Sequence, residues 1–213
     1  MTTKFIKIDF DWELVKNCCR STVKKSFTSG EPSDEFKRSL LIAEHSPIRE
    51  LKLTWLWKGI KYWISTEWSR HKFEKFITSQ RNDRQHDYDR NEARQDAPVD
   101  FIGSANMQNL IDSFRKRLCF TATKEARSYA VSLKRKLAEM YPIESSVLVP
   151  HCVYRGGCSE MLKCGHYNRF LQWWKDTVGD EDEFLPEDIQ MRYSAYHHYL
   201  TGAKHITMSP IKK

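Results

Sequence analysis

The segment Leu51-Lys52-Leu53-Thr54-Trp55-Leu56-Trp57 alternates with a period of two, which predicts a half-buried strand. After Gly59 the period lengthens. Ile60, Trp63, Ile64, Glu67 and Trp68 share one face of a helix whose C-terminal end delivers Arg70-His71-Lys72. Upstream, Phe5 to Phe10 reads as a short strand and Trp12 to Thr22 as a helix. Gly30, Pro32 and Ser33 mark a loop, and Glu35 to Glu44 predicts a second helix with Phe36, Leu40, Leu41 and Ala43 as its apolar positions. Residues 82–100 are dominated by Asn, Asp, Arg and Gln and read as a loop. The strongest helical stripe runs from Met107 to Met140 through Leu110, Phe114, Leu118, Ala122, Ala126, Ala130, Leu133 and Leu137, and Pro142 ends it. Arg115, Lys116, Lys124 and Arg127 are expected on its wet face. Beyond Pro150 the character changes: His151, Cys152, Cys158, Cys164 and His166 cluster, aromatic and acidic residues follow up to Pro186, and the tail after Gly202 is expected to fray. The sum is an α+β chain, a small central sheet packed with helices, followed by a Cys/His-containing C-terminal extension.

At 213 residues and 25.3 kDa the chain suits one compact domain, or one domain with an appendage. With 40% hydrophobic residues and seven Trp it can bury a sizeable core. A run of about 18 uncharged apolar residues is missing, which excludes a membrane span. Met1 to Phe10 lacks the apolar stretch of a secretory signal, so a cytoplasmic protein with reduced cysteines is expected. The net charge of +7 fits either an extended nucleic-acid surface or arginines that meet the phosphates of small ligands.

Three constellations could carry chemistry. The first sets Arg70-His71-Lys72 beside Ser79-Gln80-Arg81, where a helix gives way to an extended segment; cations next to a hydroxyl suit a phosphate or a pyrimidine carbonyl. The second is Ala93-Arg94-Gln95-Asp96-Ala97-Pro98. The third is Asn106-x-x-Asn109-Leu110-x-Asp112, followed by Arg117 and Ala122-Thr123-Lys124-Glu125. Separately, Cys152-x5-Cys158-x5-Cys164-x-His166 offers four ligands of the types zinc prefers. The spacing is not that of a standard knuckle, and buried thiols in a small accessory lobe are the other reading.

In their order and spacing these pieces resemble the flavin-dependent thymidylate synthases. Cys18-Cys19-Arg20-Ser21-Thr22 stands where that family has Ala-Ala-Arg-x-Ser, and Glu44-His45-Ser46-Pro47 matches its His element before the strand. The signature Arg-His-Arg-x7-Ser-x-Arg is similar to Arg70-His71-Lys72-x6-Ser79-Gln80-Arg81, one residue shorter and without the family's Asn-Glu. Arg94, Asn106 and Arg117 keep the family's register. The likeness covers about residues 5 to 142, dividing the chain into a synthase-like domain (1–149) and an extension (150–213).

The resemblance implies one-carbon transfer from methylenetetrahydrofolate to C5 of dUMP, with reduced FAD giving the hydride that finishes the methyl of dTMP. Uracil C5 becomes nucleophilic when cationic donors draw charge onto the ring carbonyls. By the same resemblance Arg117 faces the pyrimidine, and Ser79, Arg81 and Arg94 hold the nucleotide. Ser79 positions without becoming a covalent nucleophile. His45, Ser46, Arg70, His71 and Lys72 are flavin contacts, joined by Thr22 and Asn106, and the active sites are shared within a homotetramer. Lys72 replaces a forked arginine with a point charge, and Asp112 puts a carboxylate where the family has Asn. These departures fall at the flavin, and they open a second outcome in which water traps the intermediate and gives 5-hydroxymethyl-dUMP. A reading of another class is a basic module that stacks nucleic-acid bases on its tryptophans. The core periodicity of Trp55, Trp57, Trp63 and Trp68 argues for packing instead.

Overall fold

The inward positions of strand β2, Lys52–Lys61, are all large and apolar, which makes it the spine of the fold: Leu53, Trp55, Trp57 and Ile60 are fully buried. A computed structural model describes residues 2–85, 88–178 and 187–202. In it β2 pairs with β1 (Thr3–Asp9) on one side and β4 (Pro98–Asn106) on the other, and β3 (Glu74–Ile77) adds outside β4. The result is a four-stranded antiparallel sheet in the order β1-β2-β4-β3.

The strand outruns its sequence reading, which ended it at Trp57 and began a helix at Ile60. Gly59 explains the difference. It sits at φ +61°, its N–H donates to Asp100 Oδ1 at 2.9 Å, and the β2–β4 register slips between Trp57 and Ile60. This bulge turns Ile60 back toward the core before helix α3, Tyr62–Ser69, begins. On β4 a Cβ at Gly103 would lie 2.3 Å from the Trp55 ring, so only glycine lets the indole lie against the neighbouring strand.

Helix α1 (Trp12–Thr22) starts at Asp11, whose carboxylate accepts from Leu14 N, and α2 (Asp34–Ile42) starts at Ser33, whose hydroxyl accepts from Phe36 N. A 3-10 turn, Ser46–Glu50, leads into β2. The expected continuous helix from Met107 to Met140 is two: α4 (Met107–Arg117) and α5 (Lys124–Met140). Cys119, Thr121 and Thr123 are weak helix formers, and the turn they build lets the chain change direction while Leu118 and Ala126 stay buried. Arg115 is not on a wet face either. It is 7% exposed, ion-paired with Glu44, and its guanidinium lies 3.7 Å from the Tyr154 ring centroid.

Aromatic rings fill the space between sheet and helices. Trp57 touches Trp55, Trp68, Phe101 and Tyr129, and its indole N–H donates to Thr3 Oγ1 at 2.9 Å. The core continues through α6 (Pro142–Ser146) and α7 (His151–Arg155) into α8 (His166–Val178) and α9 (Ile189–Thr201), with Phe170 and Tyr196 buried in the same cluster. Arg192 ties α9 to α7 by donating to the carbonyls of Val153 and Tyr154. The tail after Gly202 and the acidic stretch that ends at Pro186 lie outside the described residues.

Candidate active site

A cleft of about 490 Å³ opens where α3 and α4 end. The last turn of α4 supplies Lys116 and Arg117, the chain leaving α3 supplies Arg70 and His71, and Cys119, Thr121 and Ala122 of the α4–α5 turn form its floor. His151, Ser159 and Glu160 close the far side. Its lining carries three cations and one carboxylate, and even with Arg117 paired to Glu67 the balance stays positive, which suits an anion.

Arg117 is the organising side chain. Its Nη1 donates to Glu67 Oε2 at 2.7 Å, its Nη2 to the Glu67 carbonyl, and its Nε to His71 Nε2 at 2.7 Å. Thr123 steadies Glu67 by donating to its other oxygen at 3.0 Å. Because His71 Nε2 accepts, the ring proton belongs on Nδ1. Burial, together with the charges of Arg117, Lys116, Lys75 and Arg70, holds the His71 pKa down to about 4, so the ring is neutral at physiological pH. It lies between Trp68 and Phe73, stacked on the latter at an interplanar angle of 3°.

The other residues singled out in the sequence spread around this cleft. Lys72 faces a second cavity of about 600 Å³ with Lys52, Lys75 and Asn106. Asn106 has a structural duty there, since its side chain caps α4 by accepting from Asn109 N at 2.9 Å. Arg81 and Arg94 do not reach the cleft: each folds onto an acid two residues ahead, Asp83 and Asp96, in exposed pairs. Ser79 accepts from Arg81 N at 3.3 Å. His45 and Ser46 are exposed at the 3-10 turn, and Thr22 is exposed at the end of α1 with its hydroxyl on the Cys19 carbonyl. Asp112 stands beside Arg115 and Gln108. Glu67 was visible only as a helix-face position, and its role as the partner of Arg117 depends on a contact across 50 residues.

The expected zinc residues are gathered but not at ligand spacing. Cys152, Cys158, Cys164 and His166 line one small cavity, joined by Cys119 and His151. Among the described residues, however, no three His, Cys, Asp or Glu side chains stand ready to hold an ion. All six cysteines are free thiols, and burial pushes Cys152 up to about 12.

No protein-family model matches the chain, and no curated protein matches it. A solved structure does: the flavin-dependent thymidylate synthase ThyX from Helicobacter pylori, complexed with FAD and dUMP. It matches with a TM-score of 0.57 at 14% sequence identity, covering 70% of this chain and 100% of that one. The two share a fold. The small antiparallel sheet with helices packed on it, expected from the hydrophobic pattern, is therefore an architecture that also occurs in that enzyme. Among the described residues no helix is long and apolar enough to cross a membrane.

Proposed function

We infer that this chain is a nucleotide-modifying enzyme of the flavin-dependent thymidylate synthase type. It transfers a one-carbon unit from methylenetetrahydrofolate to C5 of dUMP and yields dTMP. The pairing of His71 with Arg117 carries the reading. These residues are 46 apart in the chain, belong to different motifs of the sequence resemblance, and meet at 2.7 Å in a cationic cleft on a fold shared with such an enzyme.

In this reading Arg117 presents its guanidinium to a pyrimidine carbonyl, where a well-placed donor contributes about 3 kcal/mol to the transition state. Glu67 and neutral His71 fix its plane, and one N–H on each of Nη1 and Nη2 is left to donate into the cleft. Arg70 and Lys116 add positive potential for the nucleotide's phosphate. Arg81 and Arg94, with Ser79, complete that grip by leaving exposed partners whose pairing contributes little.

The donor set fits a flavin nucleotide. Lys52 and Lys72 border the second cavity at the N-terminus of α4, an arrangement that suits a diphosphate. Bound there, reduced FAD would supply the hydride that completes the methyl group. Lys72 and Asn106 line that cavity and would hold it there, Arg70 and His71 would meet it from the neighbouring cleft, and His45, Ser46 and Thr22 would reach it across a homotetramer. The synthase unit comprises residues 1–149, and 150–213 form its extension.

Product analysis with dUMP, methylenetetrahydrofolate, FAD and a reductant tests this reading. dTMP is the expected product; 5-hydroxymethyl-dUMP would place water at the last step. A chain that takes up no flavin and instead binds DNA tightly in a salt-dependent manner would overturn it. The burial of Trp55, Trp57 and Trp68 speaks against that outcome, because buried indoles offer no stacking platform.

A further inference from the structure

Four of the six cysteines come from three separate parts of the chain and meet at one place. Cys119 lies in the α4–α5 turn, Cys152 in α7, and Cys158 and Cys164 in the irregular segment between α7 and α8. The cavity they line has a volume of about 10 Å³, room for a single water-sized occupant. Two features of its lining are unusual for a dry cluster of thiols. His166 is 2% exposed, and neither of its ring nitrogens has a hydrogen-bond partner; His151 Nδ1 is also buried without one. A buried imidazole with two orphaned nitrogens is costly unless something in the cavity answers it.

Two arginines lie near the same place, and the Glu160 carboxylate also lines the cavity. Phe120 stacks on His166 at 3.9 Å, and the guanidiniums of Arg127 and Arg169 lie 4.0 and 5.8 Å from the Phe120 ring centroid. Arg169 also donates to the Cys164 carbonyl at 3.2 Å. Positive charge this close to His166 favours anionic occupants of the cavity over neutral ones.

We propose that Cys119, Cys152, Cys158 and Cys164 form a structural zinc site, with His166 and His151 as donors to the bound sulfurs. The chemistry closes. Each thiol gives up its proton on binding, the four thiolates and Zn²⁺ carry a net double negative charge, and Arg127 and Arg169 offset part of it. The one N–H of each neutral imidazole then has a sulfur acceptor. Among the described residues no three such side chains already stand at ligand spacing, so the ion must draw the sulfurs in to about 2.3 Å, and Cys158 and Cys164, which lie outside helices and strands, are the ones placed to shift. Cys119 was outside the set read from the sequence because it lies 33 positions before Cys152. The site is independent of the flavin reading.

The test uses the full chain, produced in zinc-supplemented medium, dialysed, and assayed for metal by mass spectrometry. One zinc per chain, retained through dialysis, is expected. The chain reloaded with cobalt(II) should show thiolate-to-cobalt charge-transfer absorption and tetrahedral d–d bands. Cys152→Ser and Cys158→Ser should abolish both, and Cys18→Ser should abolish neither. Should the serine variants fail to fold, the cobalt spectrum of the unaltered chain decides. Zinc below stoichiometry that dialyses away, a cobalt spectrum without the sulfur band, or a disulfide among these four cysteines would each overturn the proposal.

Discussion

Arg117 commits every nitrogen of its guanidinium to Glu67 and His71, so its plane is set by the protein before any ligand arrives. Arg117→Ala is expected to lower the rate of product formation by about 10²–10³-fold, the usual cost of one electrostatic donor. Glu67→Gln keeps an acceptor but loosens the grip, and a fall nearer tenfold in kcat/KM is expected, since about 1.4 kcal/mol corresponds to tenfold. Steady-state assays of both variants separate donor from positioner. The pairing of Arg115 with Glu44 serves stability instead. Glu44→Ala would leave a buried guanidinium on Tyr154 with only the longer, exposed ion pair to Asp112 among the described residues, and because Glu44 keeps some exposure the loss should be about 2–3 kcal/mol, below that of a fully buried pair. Urea denaturation measures it. Gly103→Ala forces a methyl into the Trp55 ring and should destabilise by about 1–3 kcal/mol on the same scale.

Among the elements, those with a loud apolar period were legible in the sequence. Helix α1 was placed to the residue, and β2 was recognised from Leu53, Trp55 and Trp57, because large side chains on one face admit few alternatives. Strand β4 was silent for a physical reason: its inward positions are Val99, Phe101, Gly103 and Ala105, and two of those four are too small to register as hydrophobic. The break between α4 and α5 was hidden because the apolar stripe carries across the turn from Leu118 to Ala126. For the candidate site, residue order singled out His71 and Arg117, which meet in the cleft, whereas Glu67 and Cys119 depend on chain reversals that no local pattern encodes. The β2 bulge is a test at this scale. Gly59→Ala puts a Cβ at φ +61° and should cost about 1–2 kcal/mol, read as a lowered melting temperature.

At the scale of the whole molecule, buried bases govern the response to pH. His71 and His166 are held down to about 4 and His197 to about 3, chiefly by burial. Each binds its proton less readily folded than unfolded, so below about pH 6.5 the unfolded chain takes up protons that the folded chain refuses, and stability falls as the pH drops toward 4. Lys134 acts in the same direction at higher pH. Its amine is fully buried against the Ser145 carbonyl with a pKa lowered to about 7, so stability should rise between about pH 7 and 10. Melting temperatures recorded from pH 4 to pH 9 should climb through both windows, and His197→Phe should flatten the acid limb.

Cys119, His151, Ser159 and Glu160 face the cationic cleft on one side and the thiol cavity on the other. With both sides occupied, such a partition would make its two tenants thermodynamic partners. Whatever orders the wall from behind spares the ligand in front part of the entropy of ordering it, and the favour is returned in equal measure. On the proposed nucleotide and zinc readings, a nucleotide in the cleft should tighten zinc retention by the factor by which zinc tightens the nucleotide.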